Sequence, residues 1–125
     1  MCQEFGIETE SDIIPRIAFY FAGGIGNTGA VCGSVAGAVM AIGLKLGRPD
    51  AMDESLRRLA VAQEFRRRFE AERGDITCRE LTGIDMSTEE GIRQFMSSED
   101  IAMTVCFPAV GAAFRLVVDL LKETS

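Results

Sequence analysis

Ala30-Val31-Cys32-Gly33-Ser34-Val35-Ala36-Gly37-Ala38-Val39-Met40-Ala41-Ile42-Gly43-Leu44-Lys45-Leu46 is the stretch that decides how this chain folds. It is apolar on nearly every side, so a helix built from it belongs in an interior. Gly33, Gly37 and Ala41 recur every fourth residue. They form a stripe of small residues against which a neighbouring helix is expected to lie closely. Gly47-Arg48-Pro49 ends the segment. The near-apolar run from Ala30 to Leu44 has fifteen residues, short of the roughly 20 that cross a bilayer. The expectation is a buried core helix and no membrane partner.

Upstream lies Gly23-Gly24-Ile25-Gly26-Asn27-Thr28-Gly29, which cannot continue a helix and reads as a loop. Before it, residues 11–21 read as a helix capped by Ser11, with Ile14, Ile17, Ala18 and Phe21 on one face. The aromatic, β-branched run Ile17-Ala18-Phe19-Tyr20-Phe21 also permits a strand. Downstream, Asp50 is the expected cap of a long helix to about Arg73, stopped by Gly74. Met52, Leu56 and Leu59 form its early stripe and Val61, Phe65 and Phe69 a later one, so it should touch two neighbours. Its Arg57, Arg58, Arg66, Arg67, Arg68 and Arg73 read as a solvated face or as a positive wall beside an anion.

Thr77-Cys78-Arg79-Glu80 has the form of a capping box and opens a short helix that ends near Gly83. Ser87-Thr88-Glu89-Glu90 repeats the signature for a helix through about Met96. Pro108 stands where a last helix would begin, with Ala113, Leu116, Val117, Leu120 and Leu121 of residues 109–122 turned inward. No strand alternation follows residue 22. The fold class is all-α, a single compact helical domain over residues 1–125 around the Gly/Ala-rich helix 30–46.

Composition narrows the function. The chain has 125 residues and a net charge of −6, which argues against a nucleic-acid partner. It contains no His, which removes Ser–His and Cys–His pairs and His-ligated metals. Residues 1–4 carry no basic segment leading into an apolar run, so a cytoplasmic location is expected. In that reducing setting, cysteines serve as thiols, metal ligands or transient redox groups.

The four cysteines are Cys2, Cys32, Cys78 and Cys106. Cys2 precedes what reads as the tail of a helix closed by Gly6, and is expected to be a packing residue or a free thiol. The other three all fall at or beside expected helix starts. Unpaired amides and the positive end of the dipole there should lower a thiol pKa. Cys32, Cys78 and Cys106 are therefore the candidate redox or ligand thiols, expected to converge in one pocket, with Arg79 adding positive charge beside Cys78.

Phe21-Ala22-Gly23-Gly24-Ile25-Gly26, Gly29, Cys32-Gly33-Ser34-Val35-Ala36-Gly37-Ala38, Cys78-Arg79-Glu80-Leu81-Thr82-Gly83 and Cys106 resemble, in order and spacing, the C_GCAxxG_C_C family of putative redox-active proteins. The resemblance covers about residues 3–121, and Cys32, Cys78 and Cys106 match the last three family cysteines. It implies a small helical protein whose cysteines act in redox chemistry or hold a metal or iron–sulfur centre. Three thiolates suit an iron–sulfur cluster or zinc only with a fourth ligand, such as Cys2, a carboxylate, water or a residue of a second chain. The redox partner is unknown.

Two other readings stand beside this one. A non-catalytic oligomerising domain, for example a homodimer, would use the small-residue face of helix 30–46. Nucleotide binding would use Gly24-Ile25-Gly26-Asn27-Thr28-Gly29, which is literally G-x-G-x-x-G. That fingerprint requires a strand before the loop and a second one ending near Asp50.

Overall fold

The structure, a computed structural model, describes residues 12–124. The expectations for Ser11, Cys2 and the Gly6 helix tail lie outside the described residues. Among the described residues there are six helices and no named strand. Helix α1 is Ile13–Ala18, extended by a tight 3-10 turn at Phe19–Phe21; α2 is Gly33–Leu46; α3 is Met52–Arg73. Helix α4 is Cys78–Thr82 and α5 is Glu89–Ser97. The last helix, α6, starts at Glu99–Ile101, passes through a π-turn at Ala102–Cys106 and continues as Phe107–Thr124.

Helices α2, α3 and α6 pack on one another around a single core. Val35, Ala38 and Ile42 come from α2, Val61, Phe65 and Phe69 from α3, and Ala109 to Leu121 of α6 contribute the largest share. The Phe65 and Phe69 rings lie 5.9 Å apart, centroid to centroid. Arg68 binds Glu123 through two 2.9 Å contacts, and Arg115 pairs with Glu72, tying α3 to α6 at the surface.

The expected cap chemistry appears at α4, where Glu80 N–H donates to the Thr77 hydroxyl at 3.2 Å and Gly83 closes the helix in the left-handed region. Gly74 ends α3 in the same way. Helix α5 is capped by Thr88, one residue later than expected, because Ser87 instead donates to Asp85. Helix α3 starts after Ala51, not Asp50, and its early stripe does not find a neighbour. Met52 is 75% exposed, and Leu56 and Leu59 are exposed with it. Five of the six α3 arginines form a solvated face: Arg57, Arg58, Arg66, Arg67 and Arg68 all pair with Glu54, Glu64 or Glu70 on their own helix, whereas Arg73 Nε is buried. Exposed pairs of this kind contribute little stability each. Two arginines hold the Glu64 carboxyl down at about 2.

Helix α2 begins at Gly33, later than its sequence suggested, since residues 30–32 are drawn out to meet another segment. Its small-residue stripe is buried only at Ala41, with Gly33 and Gly37 exposed. A Cβ on Gly37 would meet nothing within 4 Å. The close-packing expectation fails there because the buried side of α2 is formed by Val35, Ala36, Ala38, Ala41 and Ile42. Gly37→Ala should therefore stabilise the protein by about 0.5–1 kcal/mol through helix propensity alone. Thermal unfolding checks this, and a lower melting temperature would contradict it.

Pro108 does not start the last helix but sits inside it. Proline has no N–H, and its ring crowds the carbonyl four residues back. The π-turn just before it relieves this, with Phe107 N–H donating to Ala102 five residues back. Residues Ala102–Thr124 thus form one helix long and apolar enough, by length and composition, to cross a membrane. Eight of its side chains lie in the core, which is the use this fold makes of that apolarity.

Candidate thiol site

Residues 17–21 are helical, so the glycine loop has no strand in front of it and lacks the setting of a dinucleotide fingerprint. The loop has another form. Gly23, Gly24, Ile25, Gly26 and Asn27 all have φ between 59° and 75°, a left-handed turn that only glycine enters without strain. Its amides are used inward: Ile25 N–H donates to Phe21 O, Gly26 N–H to Tyr20 O and Asn27 N–H to Ala22 O. Gly29 and Ala30 N–H then donate back to Gly23 and Gly24 O.

This turn delivers residues 30–32 in extended form to residues 76–78. Val31 pairs with Thr77 in an antiparallel bridge, and Cys32 N–H donates to Ile76 O at 2.7 Å. Cys78 N–H donates to Ala30 O, also at 2.7 Å. The pairing places Cys32 and Cys78 diagonally across the bridge, a relation that sets residues about 7–8 Å apart. Gly24 lies beneath the junction. A Cβ there would come within 2.6 Å of Ala30 N and 2.8 Å of Cys78 Cβ.

The third thiol arrives from α6. Cys106 is the last residue of the π-turn, and the three cysteines line one cavity of about 520 Å³. All three are free and half-buried. Convergence in one pocket is as expected. The helix-start rationale holds for Cys32, which is the N-cap of α2, and for Cys78 at the first position of α4. It fails for Cys106, which stands inside a continuous helix.

The expected lowering of thiol pKa does not appear at Cys78 or Cys106. Burial pushes the Cys78 thiol up, with Cys32 and Cys106 adding as neighbours of like charge and the Thr82 hydroxyl opposing. Burial, and then Cys32, raise Cys106. The apolar wall costs a thiolate its hydration, and α4 is a five-residue helix with little dipole to set against that. Arg79 does not help, because it is exposed and bound to Asp85 at 3.2 Å. A raised acid pKa means the folded state holds protons that the unfolded state releases. Stability from these two thiols is thus present below the ordinary thiol value of about 8.5 and falls as pH rises through the raised values. Urea unfolding between pH 8 and pH 10 should show this decline, and a Cys78→Ala, Cys106→Ala double variant should show less of it. An equal slope in both proteins would contradict it.

Among the described residues, no three Cys, Asp, Glu or His side chains gather closely enough to hold an ion. Among the described residues the three thiols share a wall without forming a ligand cluster.

Two contributors have no local signature of their role, Met86 in the cavity wall and the π-turn that carries Cys106, and Thr82 beside Cys78 stood in the motif without an assigned role. Pro108, read as a helix start, was the one available signal for the π-turn.

Fold and site together define a small all-helical protein built around an apolar, thiol-lined cavity. The chain belongs to the C_GCAxxG_C_C family, described as putative redox-active protein, which it matches over residues 1–120. Comparison with curated proteins and with solved structures gives no match.

Proposed function

We propose that this protein is a thiol redox carrier in which Cys32, Cys78 and Cys106 pass between thiol and disulfide states. The observation that carries this reading is that three cysteines far apart in sequence line one cavity. Family membership supports redox activity in general. In the reaction, one cavity thiolate attacks a partner disulfide and expels a partner thiolate. A second cavity thiolate then resolves the mixed disulfide. Two thiols lose two electrons and two protons to form one S–S bond, and the partner disulfide becomes two thiols.

Cys32 and Cys78 are the favoured pair because residues 30–32 and 76–78 are hydrogen-bonded to each other. A disulfide needs Cα atoms about 4.4–6.8 Å apart, so closing a diagonal pair pulls the two segments together by an ångström or so. Cys106 is then the remaining thiol, able to reopen that bond. A reducing, cytoplasmic setting belongs to the same proposal.

Equilibration in thiol–disulfide buffers of graded potential, followed by acid trapping and peptide mass spectrometry, tests it. A reversible Cys32–Cys78 disulfide, lost in Cys32→Ser and in Cys78→Ser, is expected. Three persistent thiols, or only mixed disulfides with the buffer, would refute the proposal.

Self-association into a homodimer is a second reading, favoured by the exposed α3 stripe of Met52, Leu56 and Leu59. Light scattering at increasing concentration should then give twice the chain mass, and Leu56→Asp should restore the monomer.

A further inference from the structure

The cavity has a chemistry apart from its sulfurs. Among the described residues that line it, none is Asp, Glu, Lys or Arg. Leu81, Met86, Phe95 and Val105 supply much of its wall. At its rim stand Met96 and Val110, apolar side chains that are 75% and 56% exposed. Its volume of about 520 Å³ falls in the range of small-molecule sites, about 300–1,000 Å³.

We propose that this cavity binds an uncharged, apolar small molecule. A charged ligand would give up its hydration to a wall with no opposite charge, at a cost that neutral ligands avoid. The phosphates of nucleotide cofactors fall under the same penalty. Burial holds Cys78 and Cys106 protonated near neutral pH, so they present no anionic wall to attract a cation either. The cavity's uncharged polar groups are the Asn27, Ser34 and Thr82 side chains, the last donating to Cys78 O, together with the start of α2. Gly33 and Ser34, at the start of α2, line the cavity, and the first amides of a helix have no intrahelical acceptor. The Cys32 side chain caps none of them. Those amides suit a carbonyl oxygen on an otherwise apolar molecule. With no cationic side chain beside them, they do not offset a full negative charge. The exposed rim completes the case, because Met96 and Val110 lose contact with water when a ligand covers the mouth.

This inference stands apart from the redox reading. It is tested with the reduced full-length chain and two dyes that share an aromatic framework, uncharged N-phenyl-1-naphthylamine and anionic 8-anilino-1-naphthalenesulfonate. Saturable enhancement at one uncharged dye per chain is expected, with the sulfonate weaker by about tenfold or more. Val110→Asp and Met96→Asp should each weaken the uncharged dye by a similar factor, while Leu56→Asp on α3 leaves it unchanged. The rim residues are exposed, so these variants should fold, and circular dichroism verifies that they do. Replacing all three cysteines with serine should abolish redox activity yet retain dye binding, which separates failure of one idea from failure of the other. Non-saturable uptake, equal binding of the sulfonate, or indifference to the rim substitutions would overturn the proposal. So would a complete lack of uptake because the cavity is filled by the chain itself or by a second copy.

Discussion

Gly24→Ala is expected to destabilise the protein by about 2–4 kcal/mol, combining the cost of a left-handed backbone for an L-residue with that of overpacking. Gly24 has φ 75°, and an added methyl would press on Ala30 backbone atoms and on Cys78 Cβ together. Ala30 accepts the Cys78 amide, so relief of the clash pushes apart the two segments that carry Cys32 and Cys78. The variant should lose stability in urea and also expose Cys32 and Cys78 to alkylation faster than Cys106. A wild-type unfolding midpoint would show that the loop does not pack against the thiol junction.

A larger loss is expected in the core. Phe65 is 0% exposed and stands between α2, α3 and α6 beside Phe69. Phe65→Ala removes a whole ring from a close-packed interior and should cost about 3–5 kcal/mol. This loss should leave the relative reactivity of the three cysteines unchanged, since Phe65 does not line the thiol cavity. Chemical unfolding measures the first quantity and differential alkylation of the folded fraction the second. A loss below about 1 kcal/mol would mean that the core does not close around this ring.

The features legible in the sequence are those set by neighbouring residues. Thr77 with Glu80, Gly74 and Gly83 mark helix ends through local hydrogen bonds and a left-handed φ, and all three marks hold. The inward set of α6 and the Val61, Phe65, Phe69 stripe follow from helical periodicity and are buried. Features that depend on distant partners were hidden. The bridge between residues 30–32 and 76–78 joins segments whose local patterns give no hint of each other. Pro108 reads as a helix start because its usual interior cost is large, and only a π-turn lets the helix run through it. Gly37 looks like a contact surface, but spacing alone does not tell which side of an all-apolar helix faces the core. Placement of the cysteines near helix starts suggested a lowered thiol pKa, whereas the cavity that raises Cys78 and Cys106 is a tertiary feature. The candidate residues were thus readable, and their electrostatics were not.

Thiol-to-thiol crosslinking tests the convergence of the cysteines most directly. Dibromobimane becomes fluorescent when both of its arms have alkylated sulfur, so it reports pairs of thiols within reach of one another. Applied to the folded, reduced protein at mildly alkaline pH, it should give bright monomeric adducts whose peptides join Cys32 to Cys78, with Cys106 joined to one of them when Cys32 or Cys78 is replaced by serine. Dark adducts, each carrying one alkylated cysteine, would contradict the shared cavity and the redox function proposed from it.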